Sequence, residues 1–101
     1  MKRIVLHPEA EQELHESLGF YEAQAGTELA EAFDACLRSA FRVVAEHPEY
    51  FPRVLLSPKA QKCRVSRFPF SVYYLDQRNR VWILAIAHHK RHPAYWRSRL
   101  R

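Results

Sequence analysis

From Ala87 to Arg101 the sequence has no acidic residue. Lys90, Arg91, Arg97, Arg99 and Arg101 are basic there, and His88, His89 and His92 can add charge. A terminus of this kind is suited to meet something negative. Acid is scarce well before it. Residues 51–101 hold twelve bases and one acid, Asp76, a net of +11, whereas residues 1–50 hold four bases and ten acids, a net of −6. The overall charge of +5 conceals this dipole. It points to an anionic partner for the C-terminal half, against the plainer reading that acidic helices face and solubilise a basic sheet.

Long apolar runs are also missing. The longest is Val81–Ala87, far short of the ~20 residues a membrane span needs, and Met1–Leu6 is too short for the apolar stretch of a signal peptide. No membrane partner is therefore expected. The two cysteines, Cys36 and Cys63, match no metal-ligand spacing. Each falls on an apolar face, so buried free thiols and a cytoplasmic location are expected. No repeat, linker or low-complexity stretch interrupts the chain. With 101 residues and 48% apolar content, residues 1–101 are expected to form one domain with a modest core.

Local patterns give the element order. Lys2–Leu6 reads as a short strand. His7-Pro8 opens a helix, because proline suits its first turn and Glu9, Glu11 and Glu13 suit the positive end of its dipole. Leu14, Leu18 and Tyr21 continue its apolar stripe. Ala25-Gly26 breaks the pattern, and Thr27 is a candidate cap for a second helix with the stripe Leu29, Phe33, Cys36, Ala40 and Val44. His47-Pro48 ends it. So short a link predicts an antiparallel helical hairpin. Glu49–Lys59 reads as a loop that packs, since it contains Tyr50, Phe51, Val54, Leu55 and Leu56. Gln61–Arg67 alternates as a half-exposed strand. Phe70–Asp76 and Val81–His88 read as a hairpin, the latter apolar on both faces and so covered on both sides. Pro93 can open a short last helix through Arg99. The predicted fold is α+β, β-α-α-β-β-β, a helical hairpin on a mainly antiparallel sheet.

That order, with several local strings, resembles the RelE/ParE toxin family of type II toxin–antitoxin systems over almost the whole chain. Pro8-Glu9-Ala10, Glu13-Leu14 and Phe20-Tyr21 with Glu22 and Gln24 are similar to the family's first helix, and Phe33 to its second. Pro48 with Phe51-Pro52 resembles the following loop. Arg64, Phe68-Pro69-Phe70 and Tyr74 resemble the sheet motif. Ile83-Ala85-Ile86-Ala87-His88, then Arg91, Pro93, Tyr95-Trp96 and Arg99, resemble the ParE-type ending. The resemblance implies a toxin held inactive by a cognate antitoxin in a hetero-oligomeric complex. ParE-type members act on DNA gyrase; RelE-type members cleave messenger RNA on the ribosome without metal.

The residues bear on that choice. Metal-free RNA cleavage needs a base, an acid and cations for the phosphorane charge. Arg64, His88 and Tyr95 are the catalytic candidates under that reading. RelE-like members, however, carry an arginine in the strand after the Gly/Pro-aromatic pair, where this chain has Ser71. The ParE-like reading instead makes Arg91, Tyr95, Trp96 and Arg99 target-binding residues, with carboxylates of an acid-rich antitoxin meeting Arg64, Arg67 and Arg91. On this reading, deleting His92–Arg101 leaves the fold intact provided Tyr95 and Trp96 are not core. Each residue also has a plainer reading. Arg64 and Arg67 can be a solvated strand face, His88 a hydrogen-bonded strand end, and Tyr95 and Trp96 packing residues. His88, His89 and His92 lack the spacing of a metal site, so no metal or cofactor is expected. A non-toxic basic binding module is the remaining alternative.

Overall fold

Two antiparallel helices cover one face of a five-stranded sheet in the computed structural model, which describes residues 1–100. Arg101, one of the tail's bases, lies outside the described residues. The order is β1 (Arg3–Leu6), α1 (Pro8–Ala25), α2 (Thr27–Glu46), β2 (Arg53–Val54), β3 (Ser57–Arg64), β4 (Phe70–Asp76), β5 (Arg80–His88) and a 3₁₀ turn at Arg97–Leu100. In space the strands run β1-β5-β4-β3-β2. Only β1 is parallel to its neighbour, because the helical hairpin carries the chain back across the sheet. The α+β class and the hairpin-on-sheet arrangement are those the sequence predicts.

Local chemistry sets the helix ends. The His7 side chain accepts a hydrogen bond from the Glu9 amide (3.0 Å) and caps α1, with Pro8 in the first turn. Gly26, with φ 89° and ψ 177°, ends α1 and starts α2 in a region only glycine occupies readily. Thr27 is therefore already helical, and no side chain caps α2; the expected threonine cap is absent because the glycine takes its place.

The sheet has two apolar faces. Phe33, Leu37, Ala40 and Val44 of α2 pack with Cys63, Val72, Tyr74, Val81, Ile83 and Ile86, and the α1 stripe Leu14, Leu18 and Tyr21 lies half-buried against them. Phe33 and Tyr21 join Phe68 and Phe70 in an aromatic cluster with centroids 5.0–6.2 Å apart. On the opposite face Ala60, Tyr73, Leu84, Ala85 and Ala87 are covered by Trp96, with Tyr95 and Leu100 beside it. A bulge at Leu84 puts Leu84 and Ala85 on this same face, since Tyr73 pairs with Ala85 and Tyr74 with Ile83. Both faces of β5 are thus covered, one by helices and the other by the C-terminal segment.

That segment departs from expectation. Pro93–Trp96 form turns that lead into the 3₁₀ turn, not an α-helix. Trp96 is fully buried and Arg99 only 8% exposed, so the segment is part of the core. The condition for deleting it without loss of fold is not met. The loop after α2 also differs. It contains β2, and β3 begins at Ser57 because the chain pairs back on Arg53 and Val54. Its backbone is pinned by Gln61, whose amide donates to Pro48 O (2.7 Å) and Phe51 O (2.9 Å), and by the Tyr74 hydroxyl, which donates to Pro48 O (2.6 Å). Tyr50, Leu55 and Leu56 nonetheless stand in solvent at 78%, 92% and 69% exposure.

Candidate functional site

The C-terminal segment is held by a buried carboxylate that in the sequence resembles an ordinary helix-dipole acid. Glu13 lies on the inward side of α1, at helical spacing from Ala10 and Ser17. Arg99 grips it with both ends of its guanidinium, Nη1 donating to Oε1 (3.0 Å) and Nη2 to Oε2 (3.1 Å). The Tyr95 hydroxyl donates to Oε2 (2.7 Å), and the Ile86 amide to Oε1 (3.0 Å). Glu9 adds a longer contact to Arg99 Nε (3.6 Å). Burial, then the bond to Glu13, pushes the Tyr95 phenol far above its ordinary value. It therefore stays protonated near neutral pH, with its proton directed at Glu13.

Arg91 sits outside this clamp. It is half-exposed, 3.6 Å from Glu13 Oε2, with its guanidinium 3.7 Å from the centroid of the Tyr95 ring. Of the four predicted target-binding residues, Arg91 is the one on the surface. Tyr95 is half-buried; Trp96 and Arg99 are inside, where the first packs on Tyr73 (4.8 Å between rings) and the second ties the tail to α1. Those two are not direct surface contacts: apolar burial and ion pairing use them up. The Trp96 indole N–H is buried with no acceptor among the described residues, at a cost of roughly 1–3 kcal/mol.

Next to Arg91 a cleft of ≈ 350 Å³ opens on the sheet face away from the helices. Strand register explains it. Arg64, Ser71 and Ala87 form one cross-strand row, and Lys62, Tyr73 and Ala85 the next. The small side chains leave a depression, with Lys62 and Arg64 on one side and His89, Arg91, His92 and Tyr95 on the other. Ser71 Oγ, buried on the floor, lies 3.0 Å from His89 Nε2. Partial burial and the charge of Arg64 hold His89 below the ordinary histidine value, with His88 and Lys62 adding to the effect. Among the described residues no carboxylate lies within 4.0 Å of Lys62, Arg64 or Arg67.

The three ribonuclease candidates, Arg64, His88 and Tyr95, do line this cleft. His88 Nδ1 accepts from the Lys90 amide (3.0 Å) and its ring meets Phe70 edge-on (5.1 Å), which fits the plainer reading of a satisfied strand end. His92 accepts from the Ala94 amide (3.2 Å) in the same way. The three histidines thus have separate partners, and no metal-binding cluster of His, Cys, Asp or Glu occurs among the described residues. Arg67 is in the β3–β4 turn rather than on a strand. Its φ is 73°, and its guanidinium stands 5.7 Å from the Phe68 ring.

A second, apolar surface runs between α2 and the β3 edge. Val43, His47, Tyr50 and Phe51 line one hollow. Cys36, Ala40, Val43, Phe51 and Cys63 line the next, which ends at Arg64 and Ser66. Arg64 therefore borders both the cationic cleft and the apolar groove. No helix among the described residues is long and apolar enough to cross a membrane.

No curated protein matches this sequence. A solved structure, "Chromosomal ParDE TA system from P. aeruginosa", shares the fold with a TM-score of 0.76 over 87% of this chain and 96% of that one, at 18% identity. Residues 4–93 match the family described as "ParE toxin of type II toxin-antitoxin system, parDE". That match takes in the helical hairpin, the sheet from the second residue of β1 onward and the start of the cationic tail, and by it the chain belongs to the ParE toxin family.

Proposed function

We propose that this protein inhibits DNA gyrase by protein contact and is neutralised by a cognate antitoxin in a toxin–antitoxin hetero-oligomer, within a reducing cytoplasm. The family match over residues 4–93 carries the reading. The target-facing surface is the outer side of the C-terminal segment, centred on exposed Arg91 with the edge of Tyr95 beneath it. Trp96 and Arg99 act by fixing that segment against the sheet. The antitoxin places apolar side chains in the groove between α2 and β3 and carboxylates at Arg64 and Arg67, neither of which has a carboxylate within 4.0 Å among the described residues.

The second reading is ribosome-dependent cleavage of messenger RNA. One observation favours it, the gathering of Arg64, His88 and Tyr95 on one cleft. Against it, the Tyr95 proton is engaged by Glu13 and Ser71 stands where the nuclease branch carries arginine. Induction of the toxin without antitoxin separates the readings. Gyrase inhibition predicts growth arrest with altered plasmid supercoiling, a DNA-damage response and intact transcripts. Rapid cleavage of translated messages at normal supercoiling would overturn it, and absence of growth arrest would point to a non-toxic binding module.

A further inference from the structure

The cationic cleft contains a set of groups that gyrase contact alone does not use. Its floor is short, Ser71 and Ala87, and its rim carries the cations Lys62, Arg64 and Arg91, with the His89 imidazole between them. Of these cations Arg91 alone has a carboxylate within 4.0 Å among the described residues. Like charges gathered around a depression repel one another, and a bound anion relieves that repulsion. The ≈ 350 Å³ cleft has room for a tetrahedral oxyanion, with the His89 imidazole at the rim and the Ser71 hydroxyl on the floor as hydrogen-bonding groups.

We propose that this cleft seats a backbone phosphate of DNA, bound and not cleaved, so that the toxin touches the nucleic acid held by gyrase as well as gyrase itself; this rests on the gyrase reading above. The absence of cleavage follows from the proton-transfer groups. RNA cleavage through the 2′-hydroxyl needs a base and an acid on either side of the phosphorus. Here the Tyr95 hydroxyl is bound to Glu13, His88 Nδ1 receives the Lys90 amide, and His89 Nε2 rests against Ser71. With Tyr95 and one nitrogen of each histidine so engaged, the cleft is suited to position a phosphate through positive charge and hydrogen bonding.

His89 provides the local reporter. Lys62 and Arg64 face it from β3, His88 from β5, and Arg91 and His92 from the tail. A phosphate among them reverses the local field and raises its titration midpoint. The full-length toxin is titrated with inorganic phosphate while the histidine resonances are followed by NMR. Its binding to duplex DNA, single-stranded DNA and RNA of the same sequence is measured by fluorescence anisotropy over a range of salt. The expected result is an upward shift of the His89 midpoint, and DNA binding that weakens with salt. Arg64→Gln and Lys62→Gln, both at exposed positions, should each lower the slope of log K against log salt by about 1. An unmoved His89, DNA affinity and salt slope in both variants equal to those of the unsubstituted protein, or RNA bound more tightly than DNA and cut would each overturn the proposal. Gyrase is absent from this assay. Its failure alongside normal supercoiling inhibition would remove the DNA contact alone, and failure of supercoiling inhibition in cells would remove the gyrase reading alone.

Discussion

Glu13 and Arg99, far apart in sequence, together stand in for a strand. β1 ends at Leu6 opposite Ile83, and the His7 amide donates to Ile83 O (2.8 Å) as the last backbone bond on that side. Beyond it the edge of β5 would be bare. Instead Arg99 Nη1 donates to Leu84 O (2.9 Å) and Glu13 Oε1 accepts from the Ile86 amide (3.0 Å). The paired side chains supply the donor and acceptor that a longer β1 would have supplied, and they cover the edge against pairing with another chain. The bulge at Leu84 is part of the device, because it turns Leu84 O and Ile86 N towards this side.

The first prediction concerns that pair. Glu13→Ala strips the buried Arg99 guanidinium of its carboxylate and the Ile86 amide of its acceptor, and should lower stability by about 3–5 kcal/mol. Arg99→Ala should cost a similar amount, while Glu13→Leu with Arg99→Met should cost much less than the two single changes added together. Urea denaturation of the four proteins measures this. Additive losses would show that the two residues do not act as one unit.

The tail itself gives the second prediction. Trp96→Ala empties a fully buried site against Tyr73, Leu84 and Ala85, and should cost about 3–5 kcal/mol. Removal of His92–Arg101 should then unfold or aggregate the protein by baring a sheet face. Tyr95→Phe is the gentle control. It removes one hydrogen bond to Glu13, about 0.5–1.5 kcal/mol, and keeps the ring under Arg91. Toxicity should survive Tyr95→Phe; its loss in a folded variant would return the hydroxyl to a chemical role.

Much of the fold was legible because it depends on periodic patterns. The Phe33–Val44 stripe, the breaks at Gly26 and Pro48, and the doubly apolar Val81–Ala87 run each force one local answer. The site was harder to read because it depends on long-range pairing. Glu13 looks like a first-turn acid until its position on the apolar side of α1 is set against an acid-free tail containing Arg99; those two signals together could have found the clamp. Trp96 and Arg99 look like surface anchors in the sequence because nothing local marks a 3₁₀ turn that folds back onto a sheet. The cationic cleft follows from register, which brings Arg64, Ser71 and Ala87 into one row from three separate strands.

A third prediction uses His89. Partial burial and neighbouring positive charge lower its folded-state midpoint below its unfolded one. Its contribution to stability is therefore present in full above the unfolded midpoint of about 6.5 and is lost as pH falls through the folded one. Arg64→Gln removes one of those charges and should move the His89 midpoint upward in an NMR titration. A midpoint at or above that of a free histidine in the unmodified protein would contradict the cationic field.

Thiol chemistry tests the core. Burial pushes the Cys63 thiol up to about 11, so it stays protonated at neutral pH and should react slowly with iodoacetamide. Cys36, half-buried between α2 and the β3 edge, should be alkylated first. Mass spectrometry of partly labelled protein gives the order, and rapid labelling of Cys63 would mean that α2 does not stay closed over β3.

The last prediction concerns the antitoxin. Val43, Tyr50 and Phe51 offer apolar surface beside Arg64, and that arginine also borders the cationic cleft. Steering by charge and holding by apolar contact should therefore separate in kinetics. Arg64→Glu and Arg67→Glu should slow association of the antitoxin and flatten its dependence on salt. Val43→Ser and Tyr50→Ser, at exposed positions where folding is little affected, should leave association nearly unchanged and speed dissociation by roughly tenfold, the equivalent of about 1.4 kcal/mol. Because both surfaces meet at Arg64, antitoxin and DNA should also compete for the toxin. Surface plasmon resonance with immobilised antitoxin reads all three effects. Association rates indifferent to both charge reversals, together with unchanged dissociation in the serine variants, would place the antitoxin elsewhere on the molecule.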